Sequence, residues 1–371
     1  MSMRQNETPK RKKIDSVQLL RAFAALSVMF FHYRLIIGPS VVGDFFNWGS
    51  IGVDLFFVIS GFIMAYTTLQ TPPNAYGAIK FIRNRFIRIM PVYYILLLVA
   101  FLLGGAMSTF HYPEKVTNLI SAITFSVYTP DTGPLYTPGK GLFNVRWTLN
   151  YELYFYMIFS LILLSQHRAK LLVLWGLSMV VIIPALLSYD ISLSTKGYMM
   201  DSVSARFLTN PIILEFIFGA MIGLLYKHIV SIKKTYSKII FITTLFVVAI
   251  GIYAGKIHGS NVQSSLFMVL LLVAFLLEND FISKITPRFL IYIGNISFSL
   301  YLVHNTIGNY VFSSTKNILF FQEHTVIQMV ILIIPSLLVA SLSYELIEVR
   351  FTNWLKARNP VIFKINQPAL K

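Results

Sequence analysis

Ten runs of mostly apolar residues, parted by short polar breaks, take up most of this chain, at about 15–37, 50–69, 86–104, 147–165, 170–188, 207–227, 237–256, 262–279, 289–312 and 326–347. About 20 apolar residues in a helix match the hydrocarbon thickness of a bilayer. In that hydrocarbon a backbone must satisfy its own N–H and C=O groups, so the runs have to be helices. The expected fold is an all-α polytopic membrane protein with about ten transmembrane helices. Composition agrees, at 56% hydrophobic, 12% charged and a mean hydropathy of +0.68, far from a soluble domain. The chain has no cysteine, which removes disulfides, thiolate metal sites and a Cys nucleophile, and no metal site is expected.

The net charge of +16 would point to nucleic acid in a soluble chain, but in a membrane protein it has to be read loop by loop. With the N-terminus in the cytoplasm, twenty-two of the 31 Lys and Arg residues fall in cytoplasmic segments and seven in outer ones, Arg21 and Arg34 lying within the first span. That asymmetry predicts both termini inside and no nucleic-acid partner. Lys10, Arg11, Lys12 and Lys13 before an apolar run mimic a signal peptide. The run is too long, holds Arg and His, and lacks an A-x-A site, so it reads as a retained first helix. In the long outer loop, 116–128 is too short to span and reads as re-entrant or interfacial. The tyrosines of YTPDTGPLYTPGKG suit stacking on sugars or, equally, a membrane interface.

Charged residues inside a span cost about 2.5–3.5 kcal/mol on insertion scales, so each needs a reason. In IDSVQLLRAFAALSVMFFHYRLII, Arg21 and His32 are eleven positions apart, close to three helical turns, which puts them on one face about 16 Å apart along the axis. Arg34 lies near the far end, within snorkelling reach of the headgroups. Either Arg21 also snorkels and His32 bonds a neighbouring helix, or the face holds a cation at one depth and a base deeper in. The second reading requires partners from other helices. Asp54, near the outer end of the second span, reads as solvated. Ser60-Gly61 allows close approach of another backbone, with packing the better reading for Gly61. Arg85 and Arg88, three apart in KFIRNRFIRIMPVYY, lie on one helix face at the cytoplasmic boundary. Topology explains some basic residues there, but a guanidinium pair also suits a phosphate. Glu152, about one turn inside the fourth span, needs a partner such as Arg146 or the Arg and His of the first span. Ser297, Tyr301 and His304 form one polar stripe on the ninth span. Asn210, Glu215 and Glu278 are scattered polar positions, and the remaining histidines sit in loops or at span ends.

These residues also form a recognisable set. VQLLRAFAALSVMFFH, GVDLFFVISGF, RFIRIMPVYY, WTLNYELYFY and ISFSLYLVH occur in order between Asp15 and His304. With them the chain resembles the acyltransferase-3 family of bacterial integral-membrane O-acyltransferases, and VQLLRA is closer to the exopolysaccharide and O-antigen acetylases than to other branches. The resemblance implies a multi-pass protein of the bacterial inner membrane that takes an acetyl group from acetyl-CoA to a hydroxyl of a glycan or lipid-linked sugar, such as O-antigen of lipopolysaccharide, exopolysaccharide or capsule. It places the family's essential first-helix pair on Arg21 and His32, its cytoplasmic Arg-x-x-Arg on Arg85 and Arg88, its Glu on Glu152, and its late Tyr and His on Tyr301 and His304. Some relatives carry an extracytoplasmic hydrolase-like domain after the tenth span. The expectation here is a transmembrane domain over 1–350, a basic cytoplasmic tail over 351–371, and no such domain.

With that resemblance, His32, Arg21 and Glu152 are the expected catalytic group, and Arg85, Arg88 and Arg21 the residues for the CoA phosphates and arm. Tyr301, His304 and Ser60 fall on the substrate side, where a structural hydrogen bond is an equal reading for Tyr301 and His304. Imidazole can take the proton of an attacking hydroxyl or be acylated itself. A ten-span transporter or exporter would also bury Arg, Glu and His, though no repeat or broken-helix pair favours one. A small-molecule hydroxyl is a further possible acceptor.

Overall fold

The computed structural model describes residues 14–38, 45–139 and 142–358, and these residues contain helices and no strand. The main helices are α1 (Asp15–Ile37), α2 (Ile51–Thr68), α3 (Ala75–Leu103), α4 (Pro113–Thr124), α5 (Trp147–Ile162), α6 (Arg168–Leu186), α7 (Ile213–Ile229), α8 (Lys234–Tyr253), α9 (Val262–Leu277), α10 (Arg288–Thr315) and α11 (Thr325–Ser343). Among the described residues seven helices are long and apolar enough to cross a membrane, or eight if α9 and the segment Asn279–Ile285, bent by 79°, are taken as one. Two of the ten expected runs account for most of the difference. Helix α5 has 16 residues, and α10, although 28 residues long, is diluted by Asn, Ser and His. Both are instead flanked by protein, where polar side chains find partners rather than lipid.

Helix α3 corrects one boundary. It starts at Ala75, with the Asn74 side chain accepting the Gly77 N–H at 2.8 Å, a cap for an otherwise unpaired donor. Arg85 and Arg88 therefore lie well inside a continuous helix rather than at its mouth. Helix α11 also runs past its expected end, through a wide π-helical turn at Tyr344–Phe351 and on to Arg358. Residues 359–371, the rest of the expected tail, lie outside the described residues, as do Lys10 to Lys13. The 116–128 segment overlaps α4, only 12 residues long and begun earlier at Pro113, which is tied to α3 by the Tyr93 and Tyr94 hydroxyls donating to the Ala122 and Ile123 carbonyls at 2.7 and 2.9 Å.

Small residues fix the core. A Cβ on Gly219 of α7 would sit 1.8 Å from the Val58 carbonyl of α2, and one on Gly61 would sit 2.1 Å from the Phe216 carbonyl. The two backbones touch, as the packing reading of Gly61 requires. Val58 meets Gly219 and Phe62 meets Gly223, so α2 and α7 run parallel. Helices α1 and α10 are parallel as well, since Gln18 meets Gly294 and Tyr33 meets Gly308. Helix α1 thus lies along α10 throughout, and this pairing positions the site.

Asp54 is not solvated. It is fully buried and accepts the Ser260 N–H through both oxygens, at 2.9 and 3.1 Å, with Glu215 of α7 buried beside it. The parallel register of α2 and α7 explains this: Asp54 and Glu215 each stand one turn before the Val58–Gly219 contact. Arg168 is another surprise. It falls in the short break between the expected spans 147–165 and 170–188, yet it is buried and donates to the carbonyls of Thr68 (2.7 Å) and Thr71, satisfying the C-terminal end of α2.

Candidate active site

Helices α1, α2, α3, α5 and α10 enclose a cavity holding about 720 Å³ of empty space, its open mouth included. Six of the expected residues line it: Arg21, Ser60, Arg85, Arg88, Glu152 and Tyr301. They come from five helices spread over the chain, so only the tertiary fold assembles them. Three guanidiniums face one carboxylate, and the lining carries a clear excess of positive charge that favours a polyanion.

Each arginine is held differently. Arg85 lies over the Phe81 and Tyr156 rings, with its carbon 5.4 and 5.6 Å from their centroids, and donates to the Thr67 hydroxyl at 3.4 Å. Arg21 donates to Gln18 Oε1 at 3.1 Å, one turn earlier on α1. Arg88 donates no hydrogen bond to a described residue, which leaves its fork available to a ligand. Glu152 Oε1 accepts from Ser60 Oγ at 3.1 Å and from the Tyr156 hydroxyl. Neither Arg146 nor His32 is its hydrogen-bond partner. Arg146 is fully buried elsewhere, donating to the Leu142 carbonyl (2.8 Å) and Ser121 Oγ (2.9 Å), where it ties the loop before α5 to α4. The Tyr156 contribution was missed, though its signal was present: in WTLNYELYFY it stands four positions after Glu152, on the same helix face.

Tyr301 lines the cavity roof and its hydroxyl accepts from Thr148 at 3.0 Å. His32, the expected base, and His304, expected on the substrate side, lie just beyond and do not line this cavity. His304 Nε2 is 3.1 Å from His32 Nδ1, so the last of the expected site residues meets one on the first helix across 272 positions. His32 Nδ1 is also 2.9 Å from the Val28 carbonyl, and His304 Nδ1 is 3.1 Å from the Leu300 carbonyl. Those partners assign the tautomers, because a carbonyl only accepts. Both Nδ1 atoms carry hydrogen, and His304 Nε2 must present a lone pair to His32 Nδ1–H. A second hydrogen on His304 would set two N–H groups against each other. In the neutral ring this leaves His32 Nε2 bare, the arrangement a proton acceptor needs. Tyr33 fixes the same point from the backbone, its hydroxyl donating to the His304 carbonyl at 3.1 Å.

A second cavity, of about 640 Å³ with its mouth included, opens further along α10 and is lined by Asn144, Asn305, Thr306, Asn309, Tyr310 and Ser313 with apolar residues of α3 and the loop before α5. Along α10 the order is therefore Ser297, Phe298 and Tyr301 on the first cavity, His304 next, and Asn305 onward on the second.

The described residues thus form a bundle of apolar helices with a cationic cavity, a histidine pair and a second, uncharged opening. An acyltransferase domain model matches residues 14–345, and the chain belongs to that family. It is 31% identical over 182 residues to the exopolysaccharide production protein ExoZ of Rhizobium meliloti, covering 49% of this chain and 52% of ExoZ. It is 25% identical over 409 residues to the peptidoglycan O-acetyltransferase OatA of Listeria monocytogenes, covering 100% of this chain and 62% of OatA. A putative acetyltransferase of Acidianus two-tailed virus is 25% identical over 311 residues, covering 82% of this chain and 86% of that protein. The chain thus spans only about half to three-fifths of the length of ExoZ and OatA. No solved structure matches.

Proposed function

We propose that this protein is a membrane O-acyltransferase that moves an acetyl group from cytoplasmic acetyl-CoA to a hydroxyl of a surface or lipid-linked glycan. The observation that carries this reading is the convergence of Arg21, Arg85 and Arg88 on one cavity whose roof, Tyr301, is one helical turn short of the His32–His304 pair. CoA is an anionic head on a thin arm. Arg85 and Arg88 hold its phosphates, and the arm runs past Arg21 toward the histidines. The hydroxyl oxygen attacks the thioester carbonyl while His32 Nε2 takes its proton. The C–S bond then breaks, the ester stays on the acceptor, and the imidazolium returns the proton to the departing CoA sulfur. His304 keeps Nε2 of His32 bare by accepting from Nδ1–H, and acts as a positioning residue. Glu152, pinned by Ser60 and Tyr156, balances the arginines rather than orienting His32.

In this reading the chain crosses the bacterial inner membrane ten times with both termini inside. The parallel runs of α1 with α10 and of α2 with α7 support that count, because an odd number of crossings must separate parallel helices, and α5 is needed to make it odd. ExoZ and OatA, named for exopolysaccharide and peptidoglycan, support a polysaccharide acceptor. The test is mass analysis of surface glycans from cells with the protein, without it, and with His32→Gln at matched abundance. The expected result is ester acetylation only with the unaltered protein. Equal acetylation in all three would refute the proposal.

A further inference from the structure

The second cavity shares no lining residue with the first, and its lining has a different character. Among the described residues around it none is charged. Its polar groups are the amides of Asn144, Asn305 and Asn309 and the hydroxyls of Thr306, Tyr310 and Ser313. The amides form a directed chain. Asn309 Nδ2 donates to the carbonyl and Oδ1 of Asn305 at 2.7 and 2.9 Å, Asn305 Nδ2 donates to Asn144 Oδ1 at 2.6 Å, and Asn144 Nδ2 donates to the Gly139 carbonyl at 2.6 Å. The chain fixes each amide in one orientation and leaves Asn309 Oδ1 at its head as an acceptor. The Thr306 and Tyr310 hydroxyls make no hydrogen bond to a described residue, and half of Tyr310 is exposed as a flat ring at the mouth.

Oriented neutral acceptors and donors beside an exposed aromatic face match a ligand that is itself a dense array of uncharged hydroxyls. Among the described residues of the lining, a carboxylate or phosphate would find no cation. Position agrees with chemistry. On α3, twelve residues separate Arg88 in the first cavity from Ala100 in the second, about 18 Å along the axis. On α10, Asn305 directly follows His304, whose ring meets His32. The two cavities therefore approach the histidine pair from opposite ends.

Resting on the acyl-transfer reading above, we infer that this second cavity is the acceptor subsite and that it takes a neutral sugar unit, presenting one hydroxyl toward His32. Thr306, Asn309 and Tyr310 are its recognition groups, while Asn144 and Asn305 form the rigid floor.

The experiment uses the full chain in lipid nanodiscs with acetyl-CoA and, as probe, the host's surface polysaccharide stripped of esters by mild alkali. A matched polymer with its primary hydroxyls oxidised to carboxylates is the anionic arm. Thr306→Val combined with Asn309→Leu changes partly or fully exposed side chains, and circular dichroism and thermal midpoint confirm folding. The expected result is a KM for the neutral polymer raised at least tenfold while the KM for acetyl-CoA stays within twofold. Tyr310→Ala should act the same way, and Tyr310→Phe should recover most of the loss by restoring the ring. An unchanged polymer KM in the folded double variant overturns the subsite. Preferred transfer to the anionic polymer, or CoA release without transfer to any neutral polymer, overturns its neutral-sugar chemistry. Absence of CoA release from the unaltered protein would instead strike the acyl-transfer reading itself.

Discussion

Replacing His304 by Leu separates the two histidines by magnitude. The substitution removes the acceptor that faces His32 Nδ1–H at 3.1 Å, together with the 3.1 Å bond from His304 Nδ1 to the Leu300 carbonyl, an oxygen that keeps its helical backbone partner. Tyr33 bonds the main-chain carbonyl of His304, which the variant keeps, and His32 Nδ1 keeps Val28 O at 2.9 Å, so no buried donor is orphaned. Of the two bonds lost, only the one to His32 orients the base. A net contribution of about 0.5–1.5 kcal/mol converts to a roughly 2- to 13-fold fall in kcat. Removing the base itself, as in His32→Gln, forfeits the about 10²–10⁴-fold that general base catalysis supplies. The assay is CoA release from acetyl-CoA by purified protein in nanodiscs with saturating acceptor, scaled to folded protein. His304→Gln, whose amide oxygen can accept from His32, should fall between Leu and the unaltered residue. A His304→Leu variant as inactive as His32→Gln would refute the assignment, because His304 would then carry the proton. Full activity in His304→Leu would show that the contact orients nothing.

Other expectations test the frame around that pair. Arg85→Lys with Arg88→Lys keeps two charges but loses the planar forks, so the KM for acetyl-CoA should rise at least tenfold at normal membrane abundance; an unchanged KM would leave these arginines as topology determinants. Gly219→Leu should destabilise by more than the about 1–3 kcal/mol usual for overpacking, since even its Cβ would meet the Val58 backbone at 1.8 Å. A thermal midpoint in detergent equal to that of the unaltered protein would contradict the contact between α2 and α7. The chain lacks cysteine, so single replacements report sidedness directly: an impermeant thiol reagent on intact cells should label Lys115→Cys and not Lys227→Cys. The reverse pattern would invert the topology.

Much of this protein is written in the sequence because lipid makes the code simple. An apolar run must be a helix in hydrocarbon, so hydropathy alone fixes the all-α class, and the costly polar residues inside those runs, Arg21, His32, Glu152, Tyr301 and His304, announce themselves. Periodicity also places Arg21 with His32 and Ser297 with Tyr301 and His304 on shared faces, since one helix determines its own faces. What it cannot determine is which faces meet. That Tyr156 rather than Arg146 holds Glu152, that Arg168 caps α2, and that Asp54 is buried against α7 follow from interhelical contacts. The largest such decision is the meeting of His32 and His304. Parallel packing of α1 on α10, permitted where Gly294 lets the Gln18 backbone approach, brings together two imidazoles that sequence reasoning had assigned to opposite sides of the reaction. Depth in the membrane is a local property of each helix, whereas partnership belongs to the packed bundle.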